Sequence, residues 1–429
     1  MMFFSTTTLS INAEKSINNR EPTINSYNLK EEEDALDPKI DQIIEDINET
    51  IIEYYLTKLV EIGPRSTGTY GCDKAAEYIH REFTKLGLET RYQYWESMGP
   101  YYRFHYFKSQ NVEAVLPGTD PNCDEVIIFG AHYDTTTLSP GGNDDGSGVA
   151  AVMTAAKILS QYEFKRTIKF LTFSGEEVYL LGSRAYAEEQ HDKNTNILMM
   201  FNADMIGRAI TEEGGKNMGI SYTEDAEWTL NQLKQLSSNI YPDFTIRTGK
   251  IQRYGRGYSD YYHFATYGYE TLALWGSSDG DPNMHTPNDT LENVNFSYLI
   301  KTTKLITGTI ATIADSTDPH PTIRIVNPKR GWFTFRDRPQ FRFKHNMTMM
   351  IDRGWIIAET NNGETPIEKV EFYYDGELVF TDYEKPYMWR IEKISKTLKK
   401  HSIEVKGYDE QERTCWDEQS LIYIRTPRE

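Results

Sequence analysis

EVIIFGAHYD (residues 125–134) leads through TTTLSPGGNDDGS (135–147) into GVAAVMTAAKILSQY (148–162), and this passage decides the fold. The first segment is a short, almost wholly apolar run of the kind that forms a strand buried on both faces. The second is rich in glycine and short polar residues. The third carries alanines and branched apolar residues at helical spacing, so the passage reads strand, tight loop, helix.

Working outward, the same alternation repeats. TIKFLTFSG (167–175) reads as a strand, LLGSRAYAEEQ (180–190) as a helix and ILMMFNADMIG (197–207) as a strand. A helix is expected over 226–240, a strand at ETLALWGS (270–277) and a closing helix over 296–314. Strands alternating with helices give an α/β fold with a mostly parallel central sheet covered on both faces. Upstream, Asp37-Pro38 supplies a cap and a first-turn proline, and Ile40, Ile43, Ile44, Ile47, Ile51, Ile52, Tyr55 and Leu56 recur at helical spacing up to Pro64. A second helix is expected in GTYGCDKAAEYIHREFTKLGLE, with Gly87 near its end.

After Asp318-Pro319-His320-Pro321 the texture changes to short alternating strands, among them TIRIVNP, QFRFKH, VEFYYDGEL, PYMWRIE, HSIEVKGYDEQ and LIYIRT, with a turn signal at Asp375-Gly376. This is the pattern of a β-sandwich. The expected organisation is a flexible, polar N-terminus over 1–37, an α/β domain over 38–317 and a small all-β sandwich over 318–429. The opening MMFFSTTTLSINAEKS suits either a signal-peptide remnant, with Ser10 and Ala13 near a cut, or a plain unstructured lead-in.

The 429 residues carry 46 Lys and Arg against 64 Asp and Glu, a formal charge of −18. That balance argues against nucleic acid, whose phosphates require clustered cations. No stretch has the length of apolar chain needed to span a bilayer. Three cysteines, Cys72, Cys123 and Cys415, none in a CxxC pair, exclude a disulfide framework, a zinc ribbon and a thioredoxin site.

In an open α/β sheet, ligands bind beyond the carboxyl ends of the strands. The sequence places His132 and Asp134, then Asp144 and Asp145, then Glu176 and Glu177, then Asp204, at successive strand ends, and His285 in a loop beyond the last strand. Singly, each has an ordinary explanation: a structural His, a helix cap, a solvated turn. Together they would crowd negative charge at one edge of the sheet, which is costly unless cations neutralise it. Imidazole and carboxylate donors without thiolate suit a catalytic zinc-type site.

The ordered series HYD, PGGNDDGSG, SGEE, NADMIG and MHTPNDT, spanning roughly residues 50–315, resembles the co-catalytic di-zinc aminopeptidase family, relatives of bacterial leucyl aminopeptidases and of glutamate carboxypeptidase. IGPRSTGTYGCDKAAEYI looks like that family's N-terminal helix region. The resemblance implies a zinc exopeptidase fold and two zinc ions. Asp144 would bridge them, His132 and Asp204 would complete one, and Glu177 and His285 the other. Glu176 would act as general base on a hydroxide held between the metals, and Asp134 would orient the His132 imidazole. Asp145 is expected to cap the helix rather than bind metal. Cobalt or manganese would also suit such a site.

One segment departs from the family pattern: Ser259-Asp260-Tyr261-Tyr262-His263-Phe264 has Tyr261 where many members carry His. With Arg253, Tyr254, Arg256 and Tyr258 it is expected to shape the substrate pocket, Tyr258 and Arg256 being candidates to support an oxyanion. Plain packing explains these aromatics equally well. His80, His105, His191, His263, His320, His345 and His401 lack motif context, and the sequons at Asn48 and Asn346 are weak signals.

The C-terminal segment resembles bacterial Ig-like modules appended to secreted enzymes, which implies an extracellular or cell-envelope setting. Peptides are the expected partners. Aminopeptidase is the leading reading; a carboxypeptidase or dipeptidase of the same fold, a glutaminyl cyclase relative and a catalytically dead binding module are the alternatives.

Overall fold

The computed structural model describes residues 36–98, 106–252, 257–316, 321–343, 347–361, 366–392, 399–410 and 413–425. The expected leader, the boundary at 318, the sequon at Asn346 and the residues Arg253, Tyr254 and Arg256 lie outside them.

Pro38 opens the first helix, α1 (Pro38–Asp46), but the apolar repeat that reads as one helix is two. The chain breaks at Ile47-Asn48, and α2 (Glu49–Val60) begins anew because the Asn48 side chain accepts the N–H of Ile51. A cap inside a continuous apolar stripe leaves the 3.6-residue period intact, so periodicity alone misses it. The IGPRSTG stretch is the loop that follows. α3 (Tyr70–Lys85) is capped by Thr69 and buries Ala75, Ala76, Ile79 and Phe83.

The central sheet has eight strands: β1 (Glu89–Met98), β2 (Tyr106–Leu116), β3 (Val126–His132), β4 (Thr167–Phe173), β5 (Ile197–Asp204), β6 (Asn217–Tyr222), β7 (Thr245–Lys250) and β8 (Thr271–Trp275). Their order is β1-β2-β4-β3-β5-β8-β6-β7. The middle four are mutually parallel. β1 and β2 add an antiparallel hairpin at one side, and β6 joins β8 antiparallel at the other. The sheet is therefore mixed, with the expected parallel order in its central four strands and again between β6 and β7. β3 and β5 are buried at every residue, which requires cover on both faces. The intervening helices α4 (Gly146–Leu159), α5 (Leu181–Asp192), α6 (Glu227–Ile240), α7 (Tyr261–Thr266) and α8 (Phe296–Asp315) supply it. α4 lies on β3, β4 and β5, while α5 and α7 pack together against the opposite side through Phe173, Tyr186 and Phe264.

Beyond residue 321 the chain is all β. One sheet of seven strands contains Trp332–Phe335, Arg338–Arg342, Thr348–Ile351, Ile367–Tyr374, Glu377–Asp382, Lys400–Asp409 and Thr414–Ile424. A second sheet of three strands contains Thr322–Asn327, Trp355–Asn361 and Tyr387–Arg390. They share one core, in which Ile323, Ile356 and Tyr387 of the small sheet meet Val370, Phe372, Val405 and Leu421 of the large one. Asp375 and Gly376 both have positive φ and form the hairpin turn that their sequence announces.

Arginines tie this region to the α/β sheet. Arg330 donates to the Thr266 carbonyl at the end of α7 (2.7 Å) and to buried Asp417 (2.8 Å). Arg342 pairs with Asp192 on α5 (2.6 Å) and donates to the Tyr267 hydroxyl (2.9 Å). Arg324 donates to the carbonyls of Thr195 and Ile197 and stacks over Tyr269 at 4.8 Å. Among the described residues, no helix is long and apolar enough to cross a membrane.

Candidate metal centre

The parallel strands point their carboxyl ends at one place, and the side chains there interlock. His132 ends β3. Its Nδ1 lies 3.1 Å from the Asp134 carbonyl, which as acceptor fixes the proton on Nδ1 and leaves Nε2 as the free donor atom. Nε2 faces Asp144 Oδ1 at 3.4 Å and Asp204 Oδ1 at 3.8 Å. Across the cluster, His285 Nε2 faces Asp144 Oδ2 at 3.1 Å and Glu177 Oε2 at 3.3 Å. The two oxygens of Asp144 therefore address two different imidazoles. All five residues expected as metal ligands are brought together.

Asp145 approaches His132 and Asp204 as well, but its carboxylate is taken by backbone. Oδ1 accepts the N–H groups of Gly148 and Met205, both at 3.0 Å, and Oδ2 accepts that of His132 at 3.2 Å. It caps α4 and pins the ends of β3 and β5 together.

Asp134, expected to orient the His132 imidazole, also holds the Glu-Glu turn. Its Oδ1 stands 3.7 Å from His132 Nδ1, beyond hydrogen-bond reach. The carboxylate instead accepts the N–H of Glu176 on Oδ1 (3.2 Å) and that of Glu177 on Oδ2 (3.4 Å), with the Thr67 hydroxyl at 2.6 Å on Oδ2. Asp134 thus orients the imidazole through its main chain and the Glu-Glu turn through its side chain.

The electrostatics are those of crowded, buried acids. Burial and then Asp144 push Glu177 up to about 7, and burial pushes Glu176 well above the usual carboxylate range. Asp260, fully buried nearby, is raised to about 7 by burial. For Asp144 burial acts in the same sense, but the neighbouring imidazoles of His132 and His285 outweigh it and hold the carboxyl low. Glu177 Oε1 is buried without a hydrogen-bond partner. Uncompensated carboxylates in such a setting are expensive, and divalent cations remove the cost. Nitrogen and oxygen donors, a carboxylate with one oxygen toward each half, and an orphaned buried acceptor fit two zinc-type ions.

Several further residues position the cluster from within the sequence motifs, which by themselves assign them no role. Asp289, in the MHTPNDT motif, accepts the N–H of Asn143 on Oδ1 (2.7 Å) and that of Asp144 on Oδ2 (3.0 Å). Asn143 accepts the N–H of Gly207 and donates to Asp281. Arg65 is fully buried and donates to the carbonyls of Tyr133 (2.7 Å), Pro140 (2.5 Å), Gly141 (3.1 Å) and Leu59 (3.4 Å). Burial lowers its pKa to about 10, so it remains charged at neutral pH. Gly141 has φ +64, and a Cβ there would stand 2.6 Å from Arg65 Nη2. Arg65 and Thr67 belong to the IGPRSTG phrase; a buried arginine is recognisable only from its acceptors, which are main-chain atoms far away in sequence.

In the 259–264 segment, Ser259 accepts from Asn202 on β5 at 3.0 Å, and Phe264 is part of the core against α5. Tyr261 packs edge-on to Trp275. Tyr258 is 64% exposed.

An open α/β sheet whose strand ends gather two imidazoles and a ring of carboxylates defines the class, a metallohydrolase fold with a candidate two-cation centre. Residues 111–310 match the family model described as Peptidase family M28. The chain is 29% identical over 233 residues to the probable leucine aminopeptidase 2 of Aspergillus oryzae, which covers 49% of this chain and 46% of that one. It is 25% identical over 339 residues to a probable zinc metalloprotease of Pyrenophora tritici-repentis, covering 65% and 77%. It thus spans about half the length of the Aspergillus relative. Among solved structures, the aminopeptidase from Aneurinibacillus sp. strain AM-1 superposes with a TM-score of 0.56 at 17% identity, covering 64% of this chain and 96% of that one, a likeness of fold.

Proposed function

We propose that the protein is a two-zinc aminopeptidase that removes N-terminal residues from peptides. The observation that carries this reading is Asp144, whose two carboxylate oxygens face His132 and His285 at 3.4 and 3.1 Å. His132, Asp204 and Asp144 would hold one ion, and Glu177, His285 and Asp144 the other. Bound there, zinc supplies Lewis-acid polarisation of a peptide carbonyl and lowers the pKa of water.

Glu176 is left off the ligand set, and its raised pKa suits a group that takes a proton from water and returns it to the leaving amine. Asp134 and Thr67 hold the backbone that aims it. Both carboxylate oxygens of buried Asp260 lack a hydrogen-bond partner among the described residues, and acceptors of that kind beside the cluster suit the ammonium of a free N-terminus, which favours an aminopeptidase over a carboxypeptidase.

The test is hydrolysis of aminoacyl-p-nitroanilides beside N-blocked dipeptides, with and without chelator, for the wild type and Glu176→Gln. Chelator-sensitive release from free-amine substrates, lost in Glu176→Gln, is the expected result. Cleavage of blocked peptides alone would replace the reading with a carboxypeptidase.

A further inference from the structure

A cavity of about 410 Å³ opens beside Asp204 and Asn143, between the ends of β6, β7 and β8. Its floor is Gly219. In strand register, Gly219 sits directly between Arg247 of β7 and Trp275 of β8. A Cβ on Gly219 would lie 3.3 Å from Trp275 Cβ and 3.4 Å from Arg247 Nη2, so the missing side chain is what leaves room between the aromatic wall and the guanidinium. Ser221 steadies the wall by accepting from Trp275 Nε1 at 3.2 Å.

The charges in this cavity are unequally matched. Arg208 pairs with Asp281 at 3.3 Å, and the other Asp281 oxygen accepts from Asn143 at 2.8 Å. Arg247 is fixed by neutral acceptors: Nε donates to Asn217 Oδ1 (2.9 Å) and Nη2 to the Gly276 carbonyl (3.2 Å). Among the described residues no carboxylate pairs with it. Two neutral hydrogen bonds hold the planar fork in place, and the guanidinium, on an exposed strand, keeps its charge open to a ligand in a chain with a strong acidic surplus. Asp204, the remaining carboxylate of the lining, faces His132 and would be neutralised with the metal centre.

We infer that this cavity is a carboxylate-binding subsite, with Arg247 as its specificity-determining residue. In an aminopeptidase the ligand is the side chain of an N-terminal Asp or Glu, its methylenes against Trp275 and its carboxylate on Arg247. Which part of a substrate is seated there rests on the peptidase reading above; the preference for a carboxylate does not.

The experiment has a binding arm and a turnover arm, both on zinc-loaded full-length protein. In the first, the midpoint of thermal unfolding is followed with L-glutamate and with its neutral isostere L-glutamine. A larger shift with glutamate, abolished in Arg247→Gln and partly restored in Arg247→Lys, is expected whether or not any peptide is cleaved. Equal shifts in the wild type overturn the inference.

In the second arm, kcat/KM is compared for Glu- and Gln-p-nitroanilides, and for N-acetyl dipeptides with free or amidated C-termini. Loss of the charge preference in Arg247→Gln by about tenfold, the lower range for one charged hydrogen bond, is expected on the anilides. The same loss confined to the free-acid peptides would keep the subsite and assign it to a C-terminal carboxylate, overturning the aminopeptidase reading instead. Gly219→Val, which retains the charge but fills the floor, should reduce glutamate binding in parallel. Unchanged ratios in both variants overturn the inference even if turnover is brisk.

Discussion

Asp289 Oδ2 accepts the backbone N–H of Asp144 at 3.0 Å, so a residue four positions beyond one histidine of the cluster holds the loop that carries its central carboxylate. The neighbouring Oδ1 accepts the Asn143 N–H, and the Asp289 carbonyl accepts that of Gly142. Replacing Asp289 by Ala leaves two buried N–H groups unpaired at a cost of about 1–3 kcal/mol each. Because support of this kind typically governs metal affinity by about 10–100-fold, zinc binding should weaken within that range. Competition with a chromophoric chelator and a urea titration read the two effects separately.

Arg65 should be among the least replaceable residues outside the metal cluster. Arg65→Met removes donors from four buried carbonyls and should cost about 3 kcal/mol or more. Arg65→Lys keeps the charge but not the fork, and should recover only part of that loss. Equal urea midpoints for wild type and Arg65→Met would show that water replaces the guanidinium.

Metal removal should destabilise the whole α/β domain, since the cluster joins the ends of β3 and β5 to the loops at residues 140–145, 176–177 and 285–289. With free zinc at a thousand times its dissociation constant, one site adds about 4 kcal/mol to the folded state. Calorimetry in chelator should therefore show a lower Tm that zinc restores. Asp144→Asn should bind fewer ions per chain than the wild type, read by elemental analysis.

Stability should also fall in mild acid through His191. This imidazole packs on Tyr267 at 4.8 Å, and burial, then the charge of Arg330, lower its pKa to about 4. The fold therefore favours the neutral ring. Above the unfolded value of 6.5 both states are neutral there and the group has no effect. As pH falls from 6.5 toward 4 the unfolded chain takes up the proton first, and stability drops by at most about 1.4 kcal/mol per pH unit. Urea midpoints across this range should slope less steeply in His191→Gln than in the wild type.

The centre of the fold and the ligand cluster were legible because both are written in local chemistry. A run such as VIIFGAH has one sensible burial state, and acids that recur at strand ends are conspicuous against an apolar background. The edge strands were not legible. β7, over TIRTGK, is mostly exposed and polar and has no alternation to read, and β1 carries polar residues on both faces. The break between α1 and α2 hides inside an unbroken apolar stripe. Asp134, Asp289 and Arg65 bond to main-chain atoms distant in sequence, and a main-chain acceptor has the same appearance at every position.

Arg330 has a consequence for engineering. The helix whose last carbonyl it grips, α7, immediately follows Ser259 and Asp260 at the cleft. Its other hand is on Asp417, near the far end of the chain. The C-terminal sheets therefore act as a brace behind the cleft wall rather than as cargo on a tether. Grafting another module after α8 would exchange a passenger only if the newcomer also supplied a buried cation at that point; otherwise the wall would lose its backing.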